Sequence, residues 1–133
     1  KCAQPPGYMG VARHGFGRGG YCLVRVPTVS SDAWDEYGVD WFQLDAPRHI
    51  VLPSREGLRL AAEAASFDLI NTVDDSHPQQ FEISENYRAG IPLRGGPPLM
   101  DFTPEQKRTF AEKTADANAR GRGDQAAFVL KAR

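Results

Sequence analysis

The run Tyr21-Cys22-Leu23-Val24-Arg25-Val26 constrains this chain more than any other stretch. It is short, β-prone and apolar at odd and even positions alike apart from Arg25, and Gly19-Gly20 and Pro27 bracket it. Side chains of a strand alternate between the two faces of its sheet, so a strand that is apolar on both needs cover on both. The pattern predicts a central strand in an α/β fold, with helices layered on the sheet. A chain of 133 residues has room for one such domain.

Charge and hydropathy narrow the function classes. The formal net charge is -1, which gives no electrostatic footprint for nucleic acid or an anionic membrane. No apolar stretch approaches the roughly 20 residues of a membrane span, and no basic-then-apolar leader opens the sequence. The expectation is a soluble, cytoplasmic protein that engages neither nucleic acid nor membrane. In that compartment Cys2 and Cys22 are expected as reduced thiols, with Cys22 packed inside its strand.

Along the chain, residues 1–18 are rich in Gly and Pro without periodicity and read as an irregular or disordered lead-in. Residues 28–53 mix aromatic, acidic and small residues, a connection whose length in a compact domain points to function. Ser54 offers an N-cap, Glu56 sits in the first turn, and Leu58, Ala61, Ala62 and Ala65 share a stripe, which predicts a helix over 54–65. Phe67, Leu69, Asn71 and Val73 then alternate with Asp68, Ile70, Thr72 and Asp74, predicting a strand that Asp75-Ser76-His77-Pro78 ends. Residues 79–87 read as partly extended, and Pro92, Gly95, Gly96, Pro97 and Pro98 exclude regular structure. Thr103, Pro104 and Gln106 form a capping box for a surface helix that Gly121 to Gly123 stop, and Ala126 to Leu130 read as a closing strand.

As an ordered series these segments resemble the C-terminal half of class I S-adenosylmethionine-dependent methyltransferases, of the type found among polysaccharide and glycan biosynthesis genes. Gly19 to Pro27 is similar to the glycine-glycine, apolar strand, proline passage of the fifth strand. Trp41-Phe42-Gln43-Leu44-Asp45-Ala46-Pro47-Arg48-His49-Ile50 resembles the segment before the fifth helix. The likeness continues through Ala64-Ala65-Ser66-Phe67, Gln80-Phe81, Ser84-Glu85-Asn86-Tyr87 and the closing Gly123-Asp124-Gln125-Ala126-Ala127-Phe128, and so covers about residues 19–133. Ser66 departs from it, standing where the family ends its helix with glycine.

The resemblance implies the C-terminal part of a Rossmann-like methyltransferase sheet: about three strands with the last antiparallel, plus two helices. Strand 21–26 would neighbour the closing strand, with 67–74 outermost. The implied chemistry is transfer of a methyl group from S-adenosylmethionine to a small polar acceptor such as a sugar. The family's cofactor loop and ribose-binding acid belong to an earlier half that the residues before Gly19 cannot hold. For this chain alone the expectation is therefore no bound cofactor and no activity. The expected partners are the small-molecule acceptor and either the missing N-terminal half or a second copy paired along the 21–26 edge.

Within that resemblance, His49 is the candidate catalytic base for the acceptor's proton, with Asp45 or Glu85 orienting it and Arg48 gripping an anionic group. Trp41, Gln43, Ser84, Glu85 and Tyr87 complete the candidate substrate contacts, and Trp34, Tyr37 and Phe42 form an aromatic wall. Plainer readings stand beside these: Arg48 and His49 as caps of the next helix, the aromatics as a seal over the core. Gly15-Phe16-Gly17-Arg18-Gly19-Gly20 satisfies G-x-G-x-x-G but precedes a strand instead of following one, so it reads as a lead-in. Nothing near Cys22 lowers its pKa toward a nucleophilic pair with His49, and Cys2, His14, Cys22 and His49 match no zinc spacing. The competing class is a non-enzymatic α/β module whose 28–53 loop holds a partner protein. A third reading is a small secreted domain closed by Cys2 and Cys22.

Overall fold

A computed structural model describes residues 18–45 and 48–133. Expectations that fall on residues 1–17, including Cys2, His14 and the first half of the glycine motif, and on Ala46 and Pro47 lie outside the described residues. Three strands make one sheet in the order β1-β3-β2: β1 (Tyr21–Pro27), β2 (Phe67–Asp74) and β3 (Gln125–Ala132). β3 runs antiparallel to both neighbours, so β1 and β2 point the same way without touching. The closing strand is thus the central one. The strand whose pattern predicts a central position lies at an edge of the sheet among the described residues.

Four α-helices accompany the sheet where the sequence suggests two: α1 (Asp32–Tyr37), α2 (Arg55–Ala64), α3 (Gln79–Arg88) and α4 (Pro104–Ala119), with 3-10 turns at Gly38–Asp40 and Phe42–Leu44. α2 begins where the Ser54 hydroxyl accepts the Gly57 N–H, and it buries Leu58 and Ala62 against Val26, Phe67, Phe128 and Leu130. It ends at Ala64, with Ala65 as C-cap and Ser66 next. Ser66 adopts φ 60°, a left-handed conformation that costs a residue with a Cβ roughly 1 kcal/mol. α4 shows both bonds of its capping box, Gln106 N–H to the Thr103 hydroxyl at 3.2 Å and Thr103 N–H to Gln106 Oε1 at 2.9 Å. Its thin apolar face leaves only Thr114 and Ala117 buried.

Three local expectations change. Strand β2 carries a bulge between Leu69 and Asn71, so Phe67 and Leu69 face α2 while Asn71 and Val73 turn to the opposite face, paired with Val129 and Ala127. The 28–53 connection is not irregular: Ser31 caps α1 by accepting the Trp34 N–H, and Ala33, Tyr37, Trp41 and Phe81 form a second buried cluster. Residues 79–87 are helical, not extended. α3 buries Gln80, Phe81, Ser84 and Asn86; Ser84 donates to the Gln80 carbonyl and Asn86 to that of Glu82 on the helix's own turns, while the Gln80 amide donates to the Thr114 hydroxyl of α4 at 3.3 Å. Among the described residues no helix is long and apolar enough to cross a membrane.

Candidate functional site

β1 and β2 run the same way and end at the same rim, and open α/β sheets hold ligands beyond the carboxyl ends of such strands. That rim is anchored first. The Arg55 guanidinium forks onto the Asp74 carboxylate and donates to the Gly123 carbonyl at 3.2 Å, while the Gly123 N–H donates to Asp74 at 2.9 Å. The start of α2, the end of β2 and the loop before β3 are thereby tied together. A Cβ at Gly123 would lie 2.5 Å from Asn118 Oδ1 and 2.7 Å from Ser76 Oγ, so the close approach requires glycine.

Over this anchor lies a polar cleft of two hollows, about 380 Å³ and about 180 Å³, which share Arg25, Gln43 and Gln125 as walls. The larger is completed by Phe42, Ser76, His77, Gln79, Gln80 and Asp124, the smaller by Val26, Pro27, His49 and Val51. Asp124 is buried and accepts the Trp41 indole N–H at 3.1 Å. Burial raises its carboxyl above the ordinary carboxylate range, outweighing the hydrogen bonds from Ser76 and Trp41 that pull it down.

His49 reaches the smaller hollow with its ring fixed. Its Nδ1 lies 2.8 Å from the Gln43 carbonyl oxygen, and because a carbonyl can only accept, Nδ1 carries the proton and Nε2 is left as the ring's other nitrogen. Neither carboxylate suggested by the sequence does the orienting. Asp45, at φ 31°, pairs with Arg48 at 3.4 Å, and Glu85 accepts the Tyr37 hydroxyl at 2.8 Å with Arg88 beyond it. Burial, then the bond to Glu85, pushes the Tyr37 hydroxyl far above its usual range.

The sequence-derived residues therefore separate. Gln43 and His49 share the cleft. Asp45, Arg48 and Tyr87 line a different and wider hollow of about 590 Å³ beside Val39 and Arg94. Trp41 and Ser84 are fully buried. Trp41 packs edge-on against Trp34, with ring centroids 5.7 Å apart, and the Ser84 hydroxyl accepts the Phe42 N–H at 2.9 Å, so both hold the segment in place and present no surface to an acceptor. Arg25, His77, Gln79, Gln80, Asp124 and Gln125 are cleft residues that sequence reasoning passed over. The available signals were the lone charge in an apolar strand, Arg25, and the polar pair Ser76-His77 just past a strand end.

Cys22 packs partly against the first cluster, and burial pushes its thiol up, the opposite of an activated nucleophile. Among the described residues no His, Cys, Asp and Glu side chains gather as a metal-ligand set. The loops that leave β1 and β2, residues 28–31 and 75–78, contain no glycine, so the described residues do not form the glycine-rich turn into a helix that cradles a nucleotide-like cofactor. The chain matches no family model, and no curated protein matches it.

Proposed function

We propose that residues 18–133 are the acceptor-binding portion of an S-adenosylmethionine-dependent methyltransferase, with the acceptor in the cleft at the carboxyl ends of β1 and β2. The observation that carries this reading is the strand order: the last strand lies between two parallel strands and antiparallel to both, as the resemblance implied. When bound, S-adenosylmethionine supplies an electrophilic methyl group; this reading assigns its binding to residues other than those described here. The work left to this chain is alignment of the acceptor and removal of its proton. The amides of Gln43 and Gln125 offer hydrogen bonds on the cleft wall, and Nε2 of His49 takes the proton of an acceptor hydroxyl. Arg48 opens on the other hollow and the one guanidinium that lines the cleft, Arg25, is ion-paired with Asp75, so the amide-rich walls suit a neutral polar acceptor such as a sugar.

The test is transfer of a labelled methyl group to sugars by the full polypeptide that carries these residues. His49→Gln is expected to lower kcat by about 100-fold with KM little changed, the usual scale for loss of a general base. An unchanged kcat removes His49 from the reading. Failure to methylate any hydroxyl acceptor removes the methyltransferase assignment itself.

A further inference from the structure

In the ladder with β3, Thr28 N–H donates to the Asp124 carbonyl at 2.9 Å and Ala132 N–H donates to the Gly20 carbonyl at 2.8 Å. Successive residues of a strand turn their backbone groups to opposite sides, so the even-numbered residues of β1 bond to β3 while Tyr21, Leu23 and Arg25 turn N–H and C=O outward. No described residue pairs with that outer edge. The open ladder has defined ends: Pro27 has no N–H, and the Gly19 N–H is taken by the Ala132 carbonyl at 3.0 Å. Tyr21 and Leu23 lie on the sheet face away from α2 and are 58% and 66% exposed. A regular edge of this kind, with exposed apolar side chains, is a template for another strand.

We propose that a second copy of this chain pairs with β1 along its outer edge, antiparallel about a twofold axis at Leu23. Centred there, the register opposes Tyr21 to Arg25 of the second copy and Leu23 to itself. Every other antiparallel register leaves an outward residue of each strand without a partner. The chemistry is self-complementary in this register. Tyr21 stands opposite Arg25 of the second copy, the two leucines meet at the axis, and no like charges stand directly opposite each other across the seam. On the other face Cys22 meets Val24 of the second copy, which covers two side chains that α2, packed closest to β2, leaves partly open. Arg25 keeps its ion pair with Asp75.

This inference rests on backbone geometry, and it touches the methyl-transfer reading at one point: a cofactor-binding half that extended the sheet would compete with the second copy for the same edge. Sedimentation equilibrium of the 133-residue chain, with Leu23→Lys as the variant, tests it independently of any activity. The wild-type chain is expected to be a dimer and Leu23→Lys, which sets two ammonium groups at the axis, a monomer with an unchanged circular dichroism spectrum. Amide hydrogen exchange supplies a second readout. The N–H groups of Tyr21, Leu23 and Arg25 should exchange about tenfold faster in the variant, while those of Cys22 and Val24, bonded to β3, stay protected. A wild-type chain that is monomeric at every concentration, a dimer that survives Leu23→Lys, or outward amides equally fast in both proteins would each overturn the proposal and leave the methyl-transfer reading standing.

Discussion

Along β2 the outward N–H of Thr72 is capped by Asn71 Oδ1 at 2.9 Å, a bulge bends the strand beside it, and Asp68 is ion-paired with Arg133. Along β1 the ladder is regular from Tyr21 to Pro27, and the outward residues up to Arg25 are a tyrosine and a leucine. One sheet therefore has one edge that carries a bulge and a side-chain cap and one that carries neither. Bulges, charges and local side-chain caps are how proteins close an edge to neighbours, so the contrast marks where this fold is complete in itself and where it expects company. It also resolves the double-sided apolar pattern of β1, which is written for a strand with cover that the described residues do not supply.

The largest test of the comparison concerns the anchor on the β2 side. Asp74→Ala removes a buried carboxylate and leaves the half-buried Arg55 guanidinium without it, and urea denaturation should show a loss of about 3 kcal/mol. A loss below about 1 kcal/mol would mean the β2 end is no better secured than β1, and the contrast would collapse. A position that belongs to neither edge sharpens the reading next. Asp124→Ala removes the acceptor of the buried Trp41 indole and should cost about 2 kcal/mol.

Asp124→Asn keeps that acceptor and isolates the charge. Burial holds the Asp124 carboxyl above its unfolded value, so the native state keeps the proton longer, and stability falls as pH rises from the ordinary carboxylate range through the raised folded value. Asparagine has no proton to lose, so that descent should vanish from the difference between the two proteins. Asp32 contributes the opposite slope to both, because burial would raise it but the bonds from Arg122 and Arg120 more than reverse that. The smallest effect is the most direct. Asn71→Ala uncaps Thr72 at a cost of about 0.5 kcal/mol, and if side-chain capping closes the β2 edge, the variant should associate through that edge as well, visible as species larger than the wild type in sedimentation.

Elements with a strong local signal were legible in the sequence. The α4 box at Thr103 and Gln106, the α2 cap at Ser54 and the β1 and β3 runs all fall where their residues predict, because each depends on neighbours within a turn or on strict alternation. α3 was invisible for a physical reason. Its buried face is Gln80, Ser84 and Asn86 as well as Phe81, so no apolar stripe exists, and burial is made possible by bonds within the helix and from Gln80 to Thr114 of α4 that periodicity cannot register. The site was half legible. The 41–49 segment does lie at the rim, but the 3-10 turn at Phe42–Leu44 and the left-handed Asp45 send Gln43 and His49 into one hollow and Asp45 and Arg48 into another. Arg25, Asp124 and Gln125 join them through the sheet, from strands far apart in the chain, which no local pattern encodes.

β1 and β2 each bond to β3 and not to one another. A ribosome delivers both before β3, so throughout that interval neither strand has its ladder. The sheet can close only in a late step once residues 125–132 have emerged, with contacts between distant parts of the chain that form slowly. The order of strands thus makes the time between synthesis of β1 and synthesis of β3 the period in which the unpaired edges of both strands are open to misassociation.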